Sequence, residues 1–493
     1  MTSSTAWLPV KMMIGGKLVA GEGQPITVRN PSTGEVTIEF AGASLDQTKA
    51  AIASARVAAD KGEWAAKPQK ERVAIVRDLL ARFTARHDDL RDLIVTETGM
   101  PIKSFALPAQ ISAPLAQMDV MLDLCLKLPE IEENPITLDE RINNMGGFVQ
   151  SIRRYVPVGV VAAISAYNFP LHINLWKLMP ALATGNCVIL RPSPLTPLSA
   201  LALAEIAAEA GLPEGVLSII AESGAEGAQL LTTDPAVNMV SFTGSTEVGS
   251  IVAGQAAPSM KRLQLELGGK SAQIYLPDRV EAAFSAAVGV CIAHAGQGCV
   301  LGTRIFVPEA EKAKVLGAMA ASMAYLKIGD STDPETTMGP VISEAQAQRC
   351  ERYVKLAVEA GATVVAGGKR ADRPGYFFEP TILDVPDNKN PSAQDEIFGP
   401  VVSVIGYRDV EHAIEMANDS SLGLSGYVYG KDARAALDVA KRIRTGTINV
   451  NAFFASANSS SGGVKMSGIG RERGVEGIRA FQDVQVMNLG SAV

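Results

Sequence analysis

The stretch from Val160 to Glu266 most constrains the fold, because short apolar runs alternate there with helical segments of roughly 10 to 15 residues. The apolar runs are "VVAAISAY", "CVILRPS", "VLSII", "VNMVSF" and "RLQLEL". Uniformly apolar strands are typical of a parallel sheet that helices cover on both faces. We therefore predict an α/β fold whose first sheet is of a nucleotide-binding type, although a fold alone does not determine function.

A second, less regular series of strands and helices follows "LELGGKS" (265–271) and includes "RIFVP", "VVSVIGY" and "GTINVNAFF". It predicts a second α/β domain. The earlier segment "GGFVQSIRRYVPVG" (146–159) has the pattern of a strand, but its arginines disfavour a core position. We expect it to be an edge strand or an arm that pairs with a partner.

The charge and the apolar pattern exclude two classes of partner. Lys and Arg number 45 and Asp and Glu 52, a net charge of −7, whereas nucleic-acid binders and polybasic membrane anchors carry a basic face. The first nine residues lack a basic segment followed by a long apolar run, and the apolar stretches elsewhere are too short to span a bilayer. We expect a cytoplasmic protein that binds neither nucleic acid nor membrane.

Five widely spaced cysteines without a CxxC pair argue against a structural zinc site and fit a reducing compartment. We therefore expect no bound metal. Cys299 lies in the glycine-flanked turn "HAGQGCVLGTR" (294–304), where a thiolate can be presented to a substrate as a nucleophile. The alternative is a small hydrophobic residue in a tight turn.

Two carboxylates stand close to glycines. Glu266 in "LELGGKS" ends an apolar strand, where burial raises the pKa of a carboxyl group and suits it to act as a general base. The alternative is a structural carboxylate that caps the next helix or pairs with Lys270. For Glu396 in "DEIFGPV" (395–401), a solvated carboxylate is the default expectation.

Two further signals lie where strands of the first sheet end. Asn168 in "SAYNFPLHINLWKL" (165–178) is placed to donate a hydrogen bond to an oxyanion, or to cap the helix that starts near Pro170. The segment "SFTGSTEVG" (241–249) offers helix N-terminal N–H groups to a phosphate, or is an ordinary capped turn. It matches neither G-x-G-x-x-G nor a P-loop.

Together and in this order, the motifs resemble the aldehyde dehydrogenase superfamily from about Ile14 to Phe481. The stretches that carry the resemblance are "YNFPL", "GN-x-V-x-L-x-PS", "FTGSTEVG", "LELGGKS", "GQGC", "EIFGPV" and "GGVKMSGIGRE". The resemblance implies that the chain oxidises an aldehyde to a carboxylic acid with NAD(P)+, through a cysteine thiohemiacetal and a thioester that water resolves.

The resemblance also implies a role for each catalytic position. Cys299 is the nucleophile, and the Asn168 amide and the Cys299 backbone N–H hold the oxyanion. Glu266 activates water, and Lys177 assists proton movement. Because CoA-acylating relatives often lack this glutamate, its presence favours hydrolysis. CoA-dependent acylation is the runner-up, and an inactive structural or binding homologue is the third hypothesis.

Cofactor contacts follow from the same resemblance. The implied residues are Ser165, Ala166, Tyr167, Asn168, Arg191, Ser193, Pro194, Gly244, Ser245, Val248, Glu266, Leu267, Gly268, Glu396 and Phe398. In "RPSPLTP" (191–197), Arg191 and Pro194 replace a lysine and a glutamate of many NAD-preferring members. Loss of the carboxylate removes repulsion against a 2′-phosphate, and a guanidinium can pair with one. We expect NAD, with NADP admissible.

A second departure concerns the substrate, which the resemblance implies is a small-molecule aldehyde. "NSSSGG" (458–463) has serines where many relatives have Pro-Phe, so we expect a wider or more polar pocket. The candidate lining residues are Phe169, His172, Trp176, Val300, Phe453 and Phe454.

Domain organisation and assembly are also implied. We expect a cofactor-binding Rossmann-like domain (1–137 and 157–264), a catalytic domain (265–464) and a small β arm for oligomerisation (138–156 and 465–493). The segments "FVQSIRRYV" and "FQDVQVMNLG" match the elements through which family members exchange strands. We therefore expect a homodimer or a homotetramer.

Overall fold

The computed structural model describes residues 7–142 and 147–490. The expected first domain also includes residues 1–6, and the expected arm includes 143–146 and 491–493, all of which lie outside the described residues. The strands form two large sheets, one three-stranded sheet and two small antiparallel pairs. The predicted α/β class is confirmed, while the domain boundaries stay a prediction.

The strands are numbered in chain order. They are β1 (Met12–Ile14), β2 (Lys17–Val19), β3 (Pro25–Arg29), β4 (Val36–Ala41), β5 (Ile131–Glu133), β6 (Val149–Pro157), β7 (Val160–Ile164), β8 (Cys187–Arg191), β9 (Leu217–Ile219), β10 (Met239–Thr243), β11 (Arg262–Glu266), β12 (Ala272–Tyr275), β13 (Arg304–Pro308), β14 (Thr363–Ala366), β15 (Thr381–Val385), β16 (Val401–Tyr407), β17 (Leu422–Gly423), β18 (Ser425–Tyr429), β19 (Thr447–Val450), β20 (Val464–Lys465), β21 (Gly468–Ile469) and β22 (Gln482–Gly490).

The α-helices follow the same numbering. They are α1 (Leu45–Lys61), α2 (Glu63–Ala66), α3 (Gln69–Ala85), α4 (His87–Thr98), α5 (Ala113–Lys127), α6 (Pro170–Ala183), α7 (Leu198–Ala207), α8 (Glu226–Thr233), α9 (Thr246–Ala256), α10 (Ala286–Ile292), α11 (Lys312–Met323), α12 (Glu344–Glu359), α13 (Pro391–Gln394), α14 (Val410–Asn418), α15 (Ala433–Ala440) and α16 (Gly474–Arg479). A π-helical segment, Ile102–Ser112, precedes α5.

The first large sheet has the strand order β2-β1-β9-β8-β7-β10-β11-β21. The five central strands β9, β8, β7, β10 and β11 are parallel to one another, whereas β1 and β21 flank them antiparallel. Every residue of β7 and β8 is buried. From β7 the chain adds β8 and β9 on one side and then β10 and β11 on the other. Strand order therefore reverses between β7 and β10, and the crevice at their carboxyl ends is where such sheets bind ligands.

The second large sheet has the order β14-β15-β16-β13-β12-β18-β19, with all pairs parallel except β14 with β15. Its helices bury two apolar clusters, one on each face. The turn 267–271 joins β11 of the first sheet directly to β12 of the second. The carboxyl end of β11 therefore lies between the two sheets, which places Glu266 at their junction.

The three-stranded sheet corrects one expectation. Strand β6 pairs with β22 from Val149 with Gly490 to Pro157 with Gln482, and with β5 on its other side. It is therefore the central strand of this sheet and not an edge strand. The sheet tolerates arginines because little covers it: in β22, Val484 is 58% exposed, and Arg153 of β6 bonds Glu132 of β5.

Within the part of the chain that the structure describes, no helix combines the length and the apolar character that a bilayer crossing requires.

Candidate active site

Cys299 follows a sharply bent segment. After α10, His294, Ala295 and Gly296 all have positive φ, near 51°, 50° and 75°, which turns the chain back towards the junction of the two sheets. A β-carbon on Gly269 would lie 2.1 Å from the backbone oxygen of Cys299, so only glycine allows this close approach. Among the five cysteines, Cys299 is partly exposed and the other four are buried.

Burial and two nearby carboxylates determine the pKa of the Cys299 thiol. Desolvation, followed by the charges of Glu396 and Glu266, raises the pKa of Cys299 to about 12. The interpretation of Cys299 as an inert hydrophobic residue does not fit a thiol that reaches the surface of a cleft among charged groups.

Asn168 is held beside the Cys299 loop. Its Nδ2 donates a hydrogen bond to the backbone oxygen of Gln297 at 2.9 Å, which leaves its second amide hydrogen unused. Gln297 is itself fixed, because its Oε1 accepts from the backbone N–H of Ile342 at 2.9 Å. Helix α6 begins after Phe169 and has no side-chain cap, so Asn168 does not play the capping role considered from the sequence.

Glu266 ends β11 with a buried carboxyl group. Its Oε1 has no hydrogen-bond partner among the described residues, and a β-carbon on Gly462 would lie 2.8 Å from that oxygen. Desolvation and the charge of Glu472 raise its pKa well above the usual value, against the opposing charge of Lys177. The alternative of a salt bridge with Lys270 is not observed.

Lys177 lies behind Glu266 in a buried polar network. Its Nζ donates to Ser241 Oγ at 3.0 Å and pairs with Glu472 Oε1 at 2.9 Å. Ser241 Oγ in turn donates to Gln264 Oε1 at 2.6 Å. Sequence analysis did not single out Glu472, although the motif "GGVKMSGIGRE" contains it.

A cleft of about 590 Å³ opens at the carboxyl ends of β7, β10 and β11. It reaches Cys299 and Glu266 and contains all but one of the residues that sequence analysis assigned to the cofactor. The assigned residues that line it are Ser165, Ala166, Tyr167, Asn168, Arg191, Ser193, Gly244, Ser245, Val248, Glu266, Leu267, Gly268, Glu396 and Phe398. Pro194 is the exception and does not line the cleft.

Other residues of the cleft were not assigned individually from the sequence, although some lie within the motifs quoted above. They include Phe242, Thr243, Thr246, Glu247, Gln346, Arg349, Tyr353, Gln394, Asp395, Ser421 and Leu422. Gln346 of α12 donates to the backbone oxygens of Ile397 and Phe398 at 2.9 and 2.7 Å, and so fixes the loop that carries Glu396. This link joins residues that are distant in sequence, and no local pattern reveals it.

Glu396 is buried rather than solvated, contrary to the default expectation. Its Oε1 accepts a hydrogen bond from the backbone N–H of Gly269 at 2.8 Å, and burial raises its pKa to about 7. A β-carbon on Gly268 would lie 2.6 Å from Glu396 Oε2. Gly268 and Gly269 therefore leave room at the end of β11 for the Glu396 carboxyl group and for the backbone of Cys299.

Arg191 reaches the cleft, but the protein already engages its guanidinium. Nε pairs with Glu222 Oε1 at 3.0 Å, Nη2 donates to Gly224 O at 2.7 Å, and Nη1 donates to Pro192 O at 3.2 Å. Glu222 also accepts from the backbone N–H groups of Gly227 and Ala228, at 2.7 Å each. The guanidinium that sequence analysis offered to a 2′-phosphate is therefore not free.

The candidate substrate residues fall into two groups. Phe169, His172 and Trp176 of the α6 region form a chain of ring contacts, with centroids 6.3 and 6.4 Å apart. On the other side of Cys299, Tyr427 donates to the backbone oxygen of Val300 at 2.9 Å and stacks on Phe453. Phe453 and Phe454 are largely exposed.

Within residues 7–142 and 147–490, no three His, Cys, Asp or Glu side chains are arranged to hold a metal ion.

Comparisons with known proteins agree with this geometry. The sequence model described as "Aldehyde dehydrogenase family" matches residues 18–487. Geranial dehydrogenase of Castellaniella defragrans is 35% identical over 473 residues, which are 96% of this chain and 97% of that protein. A Mycobacterium tuberculosis aldehyde dehydrogenase solved with NAD+ is 38% identical, has a TM-score of 0.92, and matches over 98% of each chain.

A mutant of Pseudomonas syringae aldehyde dehydrogenase C, solved with NAD+ and octanal, has a TM-score of 0.91 and 31% identity, and covers 99% of this chain and 98% of its own. The family match, the curated relative and both structures extend over nearly the whole molecule. The chain therefore belongs to the aldehyde dehydrogenase family.

Proposed function

We propose that this chain oxidises an aldehyde to a free carboxylic acid with a nicotinamide dinucleotide, and that water resolves the enzyme thioester. The observation that carries the proposal is the meeting of three groups at the junction of the two sheets. They are the partly exposed thiol of Cys299, the amide of Asn168, which donates one of its two hydrogens to Gln297, and the buried carboxyl group of Glu266, whose Oε1 has no hydrogen-bond partner among the described residues.

The cleft fits a dinucleotide on structural grounds. The first turn of α9, where Ser245 accepts from the backbone N–H of Val248, lines it and offers N–H groups without helical acceptors. A β-carbon on Gly244 would lie 2.4 Å from the Phe242 ring, so glycine keeps the turn before α9 narrow. When bound, the cofactor accepts the hydride that leaves the substrate carbon.

The first chemical step belongs to Cys299. Because its pKa is raised to about 12, the thiol is protonated at neutral pH, and a proton must leave as the sulfur–carbon bond forms. The thiol reaches the cleft, so that proton can leave to water there. The second amide hydrogen of Asn168 and the Cys299 backbone N–H are then available to the developing oxyanion.

The second step releases the product. Glu266 takes a proton from water, and the resulting hydroxide attacks the thioester carbon and expels the Cys299 thiolate. The Lys177–Glu472 pair, buried beside Glu266, stabilises the charge changes of that carboxyl group. The role in proton movement that the resemblance implies for Lys177 stays a prediction.

Two alternatives are tested by one assay. The rate of nicotinamide reduction and the product are measured with an aldehyde, with and without CoA, for the wild type and for Cys299→Ala. We expect CoA-independent formation of free acid in the wild type and none in the variant. Obligate dependence on CoA would support acylation instead, and no reduction under any condition would support an inactive homologue.

For the cofactor, we propose a preference for NAD over NADP. The support is the Glu222 carboxylate, which neutralises Arg191 beside the cleft and would repel a 2′-phosphate. The test is the ratio of kcat/KM for the two cofactors. We expect the wild type to favour NAD and Glu222→Gln to move the ratio towards NADP. A wild type that strongly prefers NADP would contradict the proposal.

For assembly, we propose a homo-oligomer built through the three-stranded sheet. The support is β22, whose outer edge has no neighbouring strand among the described residues and whose Val484, Val486 and Leu489 are all about half exposed. A long exposed strand with apolar side chains is a common site of pairing with a second chain.

A further inference from the structure

A cluster of four side chains beside the reacting thiol has no part in the steps proposed above. We call these side chains the Arg473 cluster, which consists of Arg473, His172, Trp176 and Gln110. Arg473 Nη2 lies 2.6 Å from His172 Nε2, and the guanidinium carbon of Arg473 lies 5.0 Å from the centroid of the Trp176 ring. The rings of His172 and Trp176 are 6.4 Å apart. Gln110, of the π-helical segment, accepts the backbone N–H of His172 through Oε1 at 3.4 Å.

The hydrogen bonds of the cluster determine where its protons lie. A guanidinium has only donors, so His172 Nε2 is the acceptor and the ring proton is on Nδ1. Burial, together with the charge of Arg473, lowers the pKa of His172 well below its usual value and keeps the ring neutral. The bond from the His172 backbone likewise identifies Gln110 Oε1 as the acceptor and leaves Nε2 as a donor.

Three donors of the cluster then lack a partner. His172 Nδ1, Trp176 Nε1 and Gln110 Nε2 are buried and meet no acceptor in residues 7–142 and 147–490. Buried N–H groups are nearly always satisfied in folded proteins, because leaving one unpaired costs free energy. Three unpaired donors in one cluster therefore point to a ligand that supplies acceptor atoms.

The positive charge of the cluster also indicates a ligand, and specifically an anionic one. Arg473 forms no salt bridge with the described residues, because the neighbouring Glu472 pairs with Lys177. Its charge interacts most with that of Glu472 and then with those of Glu266 and Cys299, which places it near the reacting centre. Burial of an unpaired cation is costly, and an anionic ligand offsets that cost.

The backbone at Arg473 is also unusual. Its φ of 60° and ψ of 170° lie in a region that glycine, and rarely any other residue, adopts. The fold therefore holds an arginine, despite this strain, at a position from which its side chain reaches His172 and Trp176.

We propose that the Arg473 cluster binds a carboxylate at the far end of the aldehyde substrate, so that the enzyme prefers ω-oxo acids to neutral aldehydes. The planar guanidinium matches a carboxylate, and the three free N–H groups supply further donors to its oxygens. This inference rests on the proposed oxidation of aldehydes at Cys299, and it specifies the substrate class for that site.

The first test uses the wild-type enzyme and a matched pair of substrates, 6-oxohexanoate and its methyl ester. We expect kcat/KM for the acid to exceed that for the ester by about ten- to hundredfold, as for a charge-assisted hydrogen-bonded contact. Competitive inhibition provides a second readout, in which adipate should inhibit more strongly than its monomethyl ester.

The second test removes the cation. Arg473→Leu should reduce the acid-to-ester ratio to near one, mainly through KM for the acid, and Arg473→Lys should restore part of it. Arg471→Leu is the matched control, because Arg471 lies two positions away and, among the described residues, its side chain donates only to the backbone oxygens of Gly463 and Gly470. In that variant the ratio should stay high even if the overall rate changes.

The outcomes separate this inference from the proposed function. Oxidation of both substrates at equal kcat/KM by the wild type overturns the carboxylate site and leaves aldehyde oxidation intact. Oxidation of neither substrate, nor of simple aldehydes such as hexanal, overturns the proposed function itself. If Arg473→Leu does not fold, the wild-type substrate ratio and the inhibition by adipate still decide the inference.

Discussion

Burial and two carboxylates both favour the protonated form of the Cys299 thiol. Desolvation, Glu396 and Glu266 all raise the thiol pKa, while burial raises the pKa of Glu266 as well. In the cofactor-free protein at neutral pH, the thiol of Cys299 is therefore protonated. The thiol is protected from stray electrophiles until a substrate reaches it.

Because the thiol is protonated, the rate at which Cys299 is alkylated should depend on pH. Below a thiol pKa, the reactive thiolate fraction rises about tenfold per pH unit. We expect alkylation of Cys299 by iodoacetamide in the cofactor-free enzyme to rise steadily from pH 7 to pH 10. Glu396→Gln, which removes one of the carboxylates, should give faster alkylation at a given pH. A plateau near pH 8 in the wild type, with the labelled peptide identified by mass, would show that the pKa is not raised.

Replacement of Glu266 should separate the two chemical steps. In Glu266→Gln, loss of the base that activates water should lower steady-state turnover by roughly 10²- to 10⁴-fold. The acyl-enzyme should then accumulate, visible as a mass increase on the Cys299 peptide. Glu281→Gln is the control, because that carboxylate is exposed and pairs with Lys431. Unchanged turnover in Glu266→Gln would mean that another group activates water.

At the scale of elements, the turn between β11 and β12 brings the site together. Gly268 leaves space for the Glu396 carboxyl group, and Gly269 leaves space for the backbone of Cys299. A turn of five residues therefore aligns the carboxyl ends of the first sheet with the second sheet. The position of the thiol relative to the cofactor cleft depends on this turn.

A single methyl group should disturb that alignment. Gly269→Ala would place a β-carbon 2.1 Å from the Cys299 backbone oxygen, so the loop must move and kcat should fall at least tenfold. Gly254→Ala, in exposed α9 with nothing within 4 Å of the new carbon, should instead be stabilising by roughly 0.5–1 kcal/mol. Thermal unfolding and steady-state kinetics of both variants test the contrast.

The elements also show what a sequence can and cannot predict. The strands β7 to β11 and their helices were predictable, because uniformly apolar runs and glycine stops report local structure. The central position of β6 was not, because its partner β22 lies far along the chain and strand pairing leaves no local pattern. The salt bridge of Arg191 with Glu222 was hidden for the same reason, and so were the contacts of Gln346 with the Glu396 loop.

At the scale of the whole molecule, the three-stranded sheet stands apart from the two large ones. Its outer strand β22 exposes three large apolar side chains, those of Val484, Val486 and Leu489, along one short stretch. The proposed homo-oligomer would cover this strand with a partner subunit.

Charge on that strand should therefore weaken assembly. Val486→Asp in β22 should lower the molar mass measured by light scattering at micromolar concentration, because a carboxylate would be buried at the contact. Val57→Asp in α1 is the matched control, since Val57 is 53% exposed and Val486 is 56% exposed. Equal masses for the wild type and both variants would argue against assembly through β22.

The pairing of β6 with β22 also sets an order of events during synthesis. At about 5 to 20 residues per second, the roughly 300 residues between the two strands take on the order of 15 to 60 s to emerge from the ribosome. During that time β6 has only the short β5 beside it, and its other edge stays open. The nascent chain thus passes through a period in which an unpaired strand is available to chaperones or to neighbouring nascent chains.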